Sequence, residues 1–277
     1  MIPARFRPPV DGRPGAAMRE AFARDGFLIV EGFASAAECE ALVRRAERLI
    51  ETLDRPRAVF DTKRQSHADD AWFRESGDKV RLFAEIDGQN VNKIGHALHL
   101  LDPEFAAFSS ETRWMRYAAA LGLARPLAIQ SMVIVKGPRI GGEVDWHQDA
   151  TFLSTEPSSV IGLWLALEDA DRSNGCMRAI PGAHRGPLRR RFRRAGDRLT
   201  MEETSDRPWP DTAAIELEAP RGTLIALHGH LPHMSPTNVS NRRRLAYALH
   251  LVDEQAHYRE DNWLPYPGRA ARGEGIG

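Results

Sequence analysis

Apolar positions recur at helical spacing along the first part of the chain and alternate along the second. Residues 14 to 24 form a short amphipathic stretch that stops at Gly26, a residue suited to the left-handed turn that ends helices. Phe27 to Val30 is a short apolar strand candidate. Ser35 with Glu38 three residues on makes a capping box. Behind it Cys39, Leu42, Val43, Ala46, Leu49 and Ile50 keep the period of a helix that buries one face. A third helix opens at Asp102-Pro103, cap then N1 proline, and runs to near Gly122. From about residue 127 the period shortens toward two. Ala128 to Lys136, Val160 to Glu168, Gly222 to His228 and Arg244 to Asp253 read as strands separated by Gly, Pro, Asn and Ser clusters. Helices first and strands later imply an α+β protein whose antiparallel β core carries the site. A closed or double-sheet jelly roll is the expected core, because it protects strand edges.

Two strands bear on function. In Val160–Glu168 one face reads Gly162, Trp164, Ala166 and the other Ile161, Leu163, Leu165, Leu167. From Arg244 onward one face carries Arg244, Ala246, Ala248 and His250, the other Leu245, Tyr247, Leu249 and Leu251. Alternate residues share a face. Each strand therefore has a packing face and a face of small residues interrupted by a polar or aromatic group, as the wall of a ligand cavity needs.

Composition narrows the classes. Lys+Arg and Asp+Glu both number 38, so the formal net charge is zero, which argues against a partner that is nucleic acid or an anionic membrane surface. Hydrophobic residues at 42% and charged residues at 27% suit a folded chain rather than a disordered one. No apolar run reaches the roughly 18 residues of a membrane-spanning helix. The start MIPARFRPPVDGRPG lacks the apolar region of a secretory signal. Two cysteines, Cys39 and Cys176, are too few for a disulfide framework, so a cytoplasmic location is expected.

Chemistry enters with Trp146-His147-Gln148-Asp149. On an extended segment His147 and Asp149, two apart, point the same way and reach one metal ion. A histidine from a distant strand would complete a 2-His-1-carboxylate face, which leaves open positions on Fe(II). The segment Leu227 to His233 offers His228, His230 and His233. His233 is preferred because it begins a turn that leads back into the strand carrying Arg244, whose planar fork suits a carboxylate beside the metal.

These motifs, with Glu168-Asp169-Ala170, Asn174-Gly175-Cys176 and Ile180-Pro181-Gly182-Ala183-His184, resemble the phytanoyl-CoA dioxygenase family of Fe(II)/2-oxoglutarate oxygenases. The resemblance is closer to its domain-containing-protein branch. It is carried there by Ser76 to Arg81, Asn92 to His99, Gly141 to Val144 and Asn262 to Leu264, and runs from about Asp25 to Trp263. It implies a double-stranded β-helix (jelly roll, cupin-like) with the N-terminal helices packed on it, and iron held by His147, Asp149 and His233. Carried over residue by residue, 2-oxoglutarate would meet Lys93, Met132, Gln148, Trp164, Ser235 and Arg244, with Arg244 on the distal carboxylate and Arg242 its rival on the same strand parity. The implied activity is a dioxygenase that hydroxylates a C–H bond of a small-molecule substrate using O2. Decarboxylation of 2-oxoglutarate to succinate and CO2 accompanies it. A rival is a sensor of the same fold that binds metal and 2-oxoglutarate without oxygenating. Asp149 is intact, whereas related halogenases carry a small residue there, so hydroxylation or desaturation is expected. Gly275-Ile276-Gly277 shows no peroxisomal address.

The expected layout is one oxygenase domain over 1–277. It comprises a mainly helical part at about 14–125, a β core at about 127–253 and a tail at 254–277. Asp61 to Asp78 is a candidate lid. Arg185 to Arg198, with seven arginines, reads as a solvated loop balanced by Glu202–Asp206, ahead of an anion-attracting patch. His96 and His99 read as structural.

Overall fold

Gly26, Ser35 and Asp102 punctuate the helices as their residue types dictate. The computed structural model describes residues 2–56, 58–59, 71–209 and 213–266. After strand β1 (Arg5–Phe6), helix α1 (Ala16–Asp25) ends on Gly26 at φ 82°, and strand β2 (Phe27–Val30) follows at once. Ser35 and Glu38 close the capping box of α2 (Ala36–Thr52). Beyond α3 (Ala71–Arg74), strands β3 (Val80–Ala84) and β4 (Val91–His96) form a hairpin, then α4 (Leu98–Leu101). Asp102 caps α5 (Pro103–Ser109) by accepting from the amides of Glu104 and Phe105. The expected single third helix is broken in two. Ser109 and Ser110 donate their hydroxyls back to the carbonyls of Phe105 and Ala107, Glu111 is extended, and α6 (Thr112–Ala120) starts afresh.

The remaining strands are β5 (Pro126–Lys136), β6 (Val144–His147), β7 (Thr155–Glu156), β8 (Ile161–Ala166), β9 (Met177–Ala179), β10 (Arg190–Ala195), β11 (Arg198–Glu203), β12 (Ile215–Leu217), β13 (Leu224–His228), β14 (His233–Ser235), β15 (Arg244–Asp253) and β16 (His257–Tyr258). A large sheet runs β1-β2-β13-β8-β15-β5-β4-β3 and a small one β12-β9-β14-β6. Trp164, Ala166 and Ala246 of the large sheet pack with Met177, Ala179 and Leu217 of the small one. On the far face of the large sheet, Leu163, Leu165, Leu245, Tyr247 and Leu249 share a core with Leu42, Leu49, Phe105 and Trp114 of the helices. The fold is α+β, a jelly roll of two facing sheets with helices on the outside of the larger.

Between the N-terminal helices, β2 to β4 are built into the large sheet. One expectation changes. The arginine-rich segment is a hairpin, not a loop. Residues 190–195 pair with 198–203, and Arg190 and Arg193 are held by Glu203 and Glu202 at 2.8 Å, with Arg191 held by Asp261 at 2.9 Å. Of the candidate lid, 61–70 lie outside the described residues. Phe73 is buried against Phe83, His96 and Trp263. Among the described residues no helix is long and apolar enough to cross a membrane.

Candidate active site

β6 delivers His147 at its last position, and a short 3-10 turn then begins at Asp149. The backbone at Gln148 is extended, so His147 and Asp149 project to one side and Gln148 to the other. β14 runs antiparallel to β6 with His233 directly opposite His147, and the two ring centroids are 4.2 Å apart. One ligand atom each from His147, Asp149 and His233 lies within 4.8 Å of the others. His147 Nε2 is 3.9 Å and His233 Nε2 3.6 Å from Asp149 Oδ1.

The backbone fixes both tautomers. His147 Nδ1 is 2.8 Å from the carbonyl of Asp145, and His233 Nδ1 is 3.0 Å from that of Leu231. A carbonyl only accepts, so each Nδ1 carries the hydrogen and each Nε2 turns its lone pair toward the carboxylate. Three electron-rich atoms gathered in this way repel one another unless a cation lies among them, and backbone carbonyls orient metal-binding imidazoles in the same manner. Burial, then the neighbouring His233, lowers His147 to about 4, so the ring is neutral at pH 7. Burial acting alone would raise the carboxyl of Asp149. His233, His250 and His147 around it hold it below the usual carboxylate range instead. Two imidazoles and a carboxylate are the donor set that suits Fe(II) with positions left open.

Beside the triad a cavity opens between the sheets, walled by Met132, Trp164, Met177, Ser235 and Arg244 among others. Arg244 is 1% exposed; its Nη2 donates to the Gly175 carbonyl at 2.8 Å, while Nε and Nη1 have no partner. Burial pushes the guanidinium down to about 10, which leaves it charged at neutral pH. Lys136 stands opposite it in the register of β15 and β5, and burial, then Arg244, push its ammonium to about 7. A buried cation with free donors is costly unless an anion meets it. The indole of Trp164 lies 5.4 Å from the Arg244 guanidinium. Arg242 is different: its side chain is 54% exposed and ion-paired with Asp171. A larger open cleft near Leu121, Pro157 and Asp253 shares no residue with this cavity.

Of the residues singled out by sequence, His147, Asp149, His233, Met132, Trp164, Ser235 and Arg244 all border the cavity, whereas Lys93 and Gln148 do not. Lys93 shares the inner face with its partner Ile134, but its ammonium lies over the rings of Phe73 and Phe83, at 5.1 and 4.9 Å. Gln148 uses its amide as a strut. Nε2 donates to the carbonyls of Pro187 and His230, and Oε1 accepts from the amide of Arg189. His230 bonds Ser158 at 3.0 Å and His228 packs against Phe22 and His184, both outside the cavity. His96 Nδ1 and His99 Nδ1 are taken by Ser76 and Ser131. The residue not foreseen is His250, a cavity wall residue whose Nε2 is 3.5 Å from Asp149 Oδ1. Its signal was present, since it shares the small-residue face with Arg244.

Comparison with known proteins agrees with this geometry. The family model described as Phytanoyl-CoA dioxygenase (PhyH) matches residues 22–246. A phytanoyl-CoA dioxygenase of Arabidopsis thaliana is 41% identical over 88% of this chain and 90% of its own. Phytanoyl-CoA dioxygenase domain-containing protein 1 of Bos taurus is 41% identical over 88% of this chain and 92% of its own. Among solved structures, the epimerase SnoN in complex with Fe3+, alpha ketoglutarate and nogalamycin RO superposes with a TM-score of 0.68. At 18% identity over 94% of this chain and 91% of that one, it shares the fold. The chain belongs to the phytanoyl-CoA dioxygenase family.

Proposed function

We propose that this protein is an Fe(II)- and 2-oxoglutarate-dependent dioxygenase that hydroxylates a C–H bond of a small organic substrate. One observation carries the proposal: two imidazoles, locked with their Nε2 lone pairs inward, meet a buried carboxylate beside a buried arginine with free donors. In this reading His147, Asp149 and His233 hold iron. Arg244 binds the distal carboxylate of 2-oxoglutarate, with Ser235, Met132 and Trp164 as walls. Gln148 braces the turn between His147 and Asp149, and Lys93 lies outside the cavity over Phe73 and Phe83. Iron with 2-oxoglutarate and O2 supplies the oxidation of the substrate C–H bond, and 2-oxoglutarate becomes succinate and CO2. The protein's own part is to orient the donors, keep His147 neutral, and exclude water with the apolar walls.

The relatives' names make an acyl-CoA or related carboxylic acid the first substrate class to test. That β1 to β4 complete the large sheet supports one domain through the described residues. Two buried free thiols, Cys39 and Cys176, support a reducing compartment such as the cytoplasm. Incubation with Fe(II), ascorbate, O2, 2-oxoglutarate and a panel of acyl substrates tests the function. Succinate formed in step with hydroxylated product is expected. No succinate under any condition, from protein that binds both cofactors, overturns the oxygenase in favour of a binding protein.

A further inference from the structure

Asp149 is met by three imidazoles, and they are not equivalent. His147 and His233 each give the Nδ1 hydrogen to a backbone carbonyl, so as neutral rings neither donates to the carboxylate through Nε2. His250 Nδ1 is buried and has no partner, so its hydrogen is free to sit on Nε2, 3.5 Å from Asp149 Oδ1. His250 also stands outside the set of atoms that lie within 4.8 Å of one another. It faces the carboxylate as a donor and not as a fourth ligand.

The strand beneath is shaped for this contact. His250 pairs in register with Gly162 of β8, and a Cβ at position 162 would overlap Asp149 Oδ2 and touch His250 Cδ2 at 3.5 Å. A side chain at 162 would fill the space that the carboxylate takes up. Oδ2 itself is buried without a hydrogen-bond partner. A carboxylate held on one side only is free to turn about its last torsion and exchange its oxygens. A donor on the large sheet stops that rotation and fixes which oxygen faces the two imidazoles of the small sheet.

We infer that His250 is a positioning residue: it donates Nε2–H to Asp149 across the gap left by Gly162 and sets the carboxylate for metal binding. The inference rests on the proposed metal site. It is tested in the full chain with Co(II) alone, a redox-inert probe whose visible spectrum reports coordination geometry. Removing an outer partner of a metal ligand weakens metal binding roughly 10- to 100-fold. His250→Leu is expected to bind Co(II) about that much more weakly, with an altered spectrum at saturation and a metal-free melting temperature no lower than that of the parent. His250→Gln, which keeps an amide donor, is expected to stay within about threefold of the parent and to restore the spectrum. Parent-like affinity and spectrum in His250→Leu overturn the role and leave the metal site standing. A His250→Gln as impaired as His250→Leu also overturns it, because packing rather than donation would then be at work. Equal Co(II) binding by the parent and Asp149→Ala removes the metal site, and the role of His250 with it.

Discussion

Replacing Arg244 by methionine separates an anion anchor from a structural cation. The guanidinium is buried, donates once to Gly175, and leaves Nε and Nη1 without partners. Burial has moved it from 12.5 to about 10. At about 1.4 kcal/mol per pKa unit, that is a folding cost of roughly 3 kcal/mol. Methionine removes this cost at similar volume, so the metal-free, ligand-free variant should melt no lower than the parent. Two charge-assisted hydrogen bonds to a carboxylate contribute about 1.5–3 kcal/mol each. Their loss, about 3–6 kcal/mol in all, should raise the 2-oxoglutarate Kd at least ~100-fold. The assay is thermal unfolding with Mn(II), with and without 2-oxoglutarate at about 100 times the parent's Kd. The parent gains roughly 2.7 kcal/mol at that concentration, whereas a variant whose Kd has risen ~100-fold gains about 0.4. At about 2–4 °C per kcal/mol, the parent shifts by about 5–10 °C and the variant by less than about 2 °C. Arg242→Ala should keep the parent's shift, since Arg242 faces solvent and Asp171. A full shift in Arg244→Met, or an equal loss in Arg242→Ala, refutes the assignment. A variant that melts several degrees lower without ligand shows Arg244 to be structural instead.

Other outcomes follow from the same geometry. His233→Ala should abolish Co(II) binding while His230→Ala leaves it intact, because His230 is spent on Ser158; calorimetric titration of both decides it. Gly162→Ala should force the Asp149 carboxylate aside at about 1–3 kcal/mol, read as a loss of Co(II) affinity in chain that still unfolds cooperatively. Lys136, lowered from 10.5 to about 7 by burial and then by Arg244, against Glu85 and Glu143, gives a pH signature. Between those values the unfolded chain holds a proton that the folded chain has released, so stability rises with pH by up to about 1.4 kcal/mol per unit. Below about 7 both states are protonated and the cost is fully present. Urea unfolding at pH 7, 8 and 9 should show the gap between parent and Lys136→Met changing with that sign. A constant gap would contradict it.

What was legible in the sequence is what short-range chemistry decides. Gly26, the Ser35–Glu38 box and the Asp102–Pro103 start act within one turn, and the structure has them all. Long alternating strands such as Arg244–Asp253 announce both their existence and their faces. β3 and β4 hid because Asn92, Lys93 and His96 are buried polar residues that break the alternation, and their partners (Glu85 for Asn92, Ser76 for His96) lie elsewhere in the chain. The small sheet hid because β9, β12 and β14 have three residues each, too few for a period to show.

The site divides along the same line. His147 and Asp149 are two residues apart on extended backbone, so local geometry brings them together. His250 belongs to the site only because β15 lies beside β8 in a register that sets it against Gly162. Read along the chain, Gly162 is a weak point in an apolar strand. Read across the register, it is a position where a side chain would displace the carboxylate. A glycine inside a strand, opposite a polar residue on a small-residue face, therefore marks where a third element must enter. Here that element is the turn carrying Asp149.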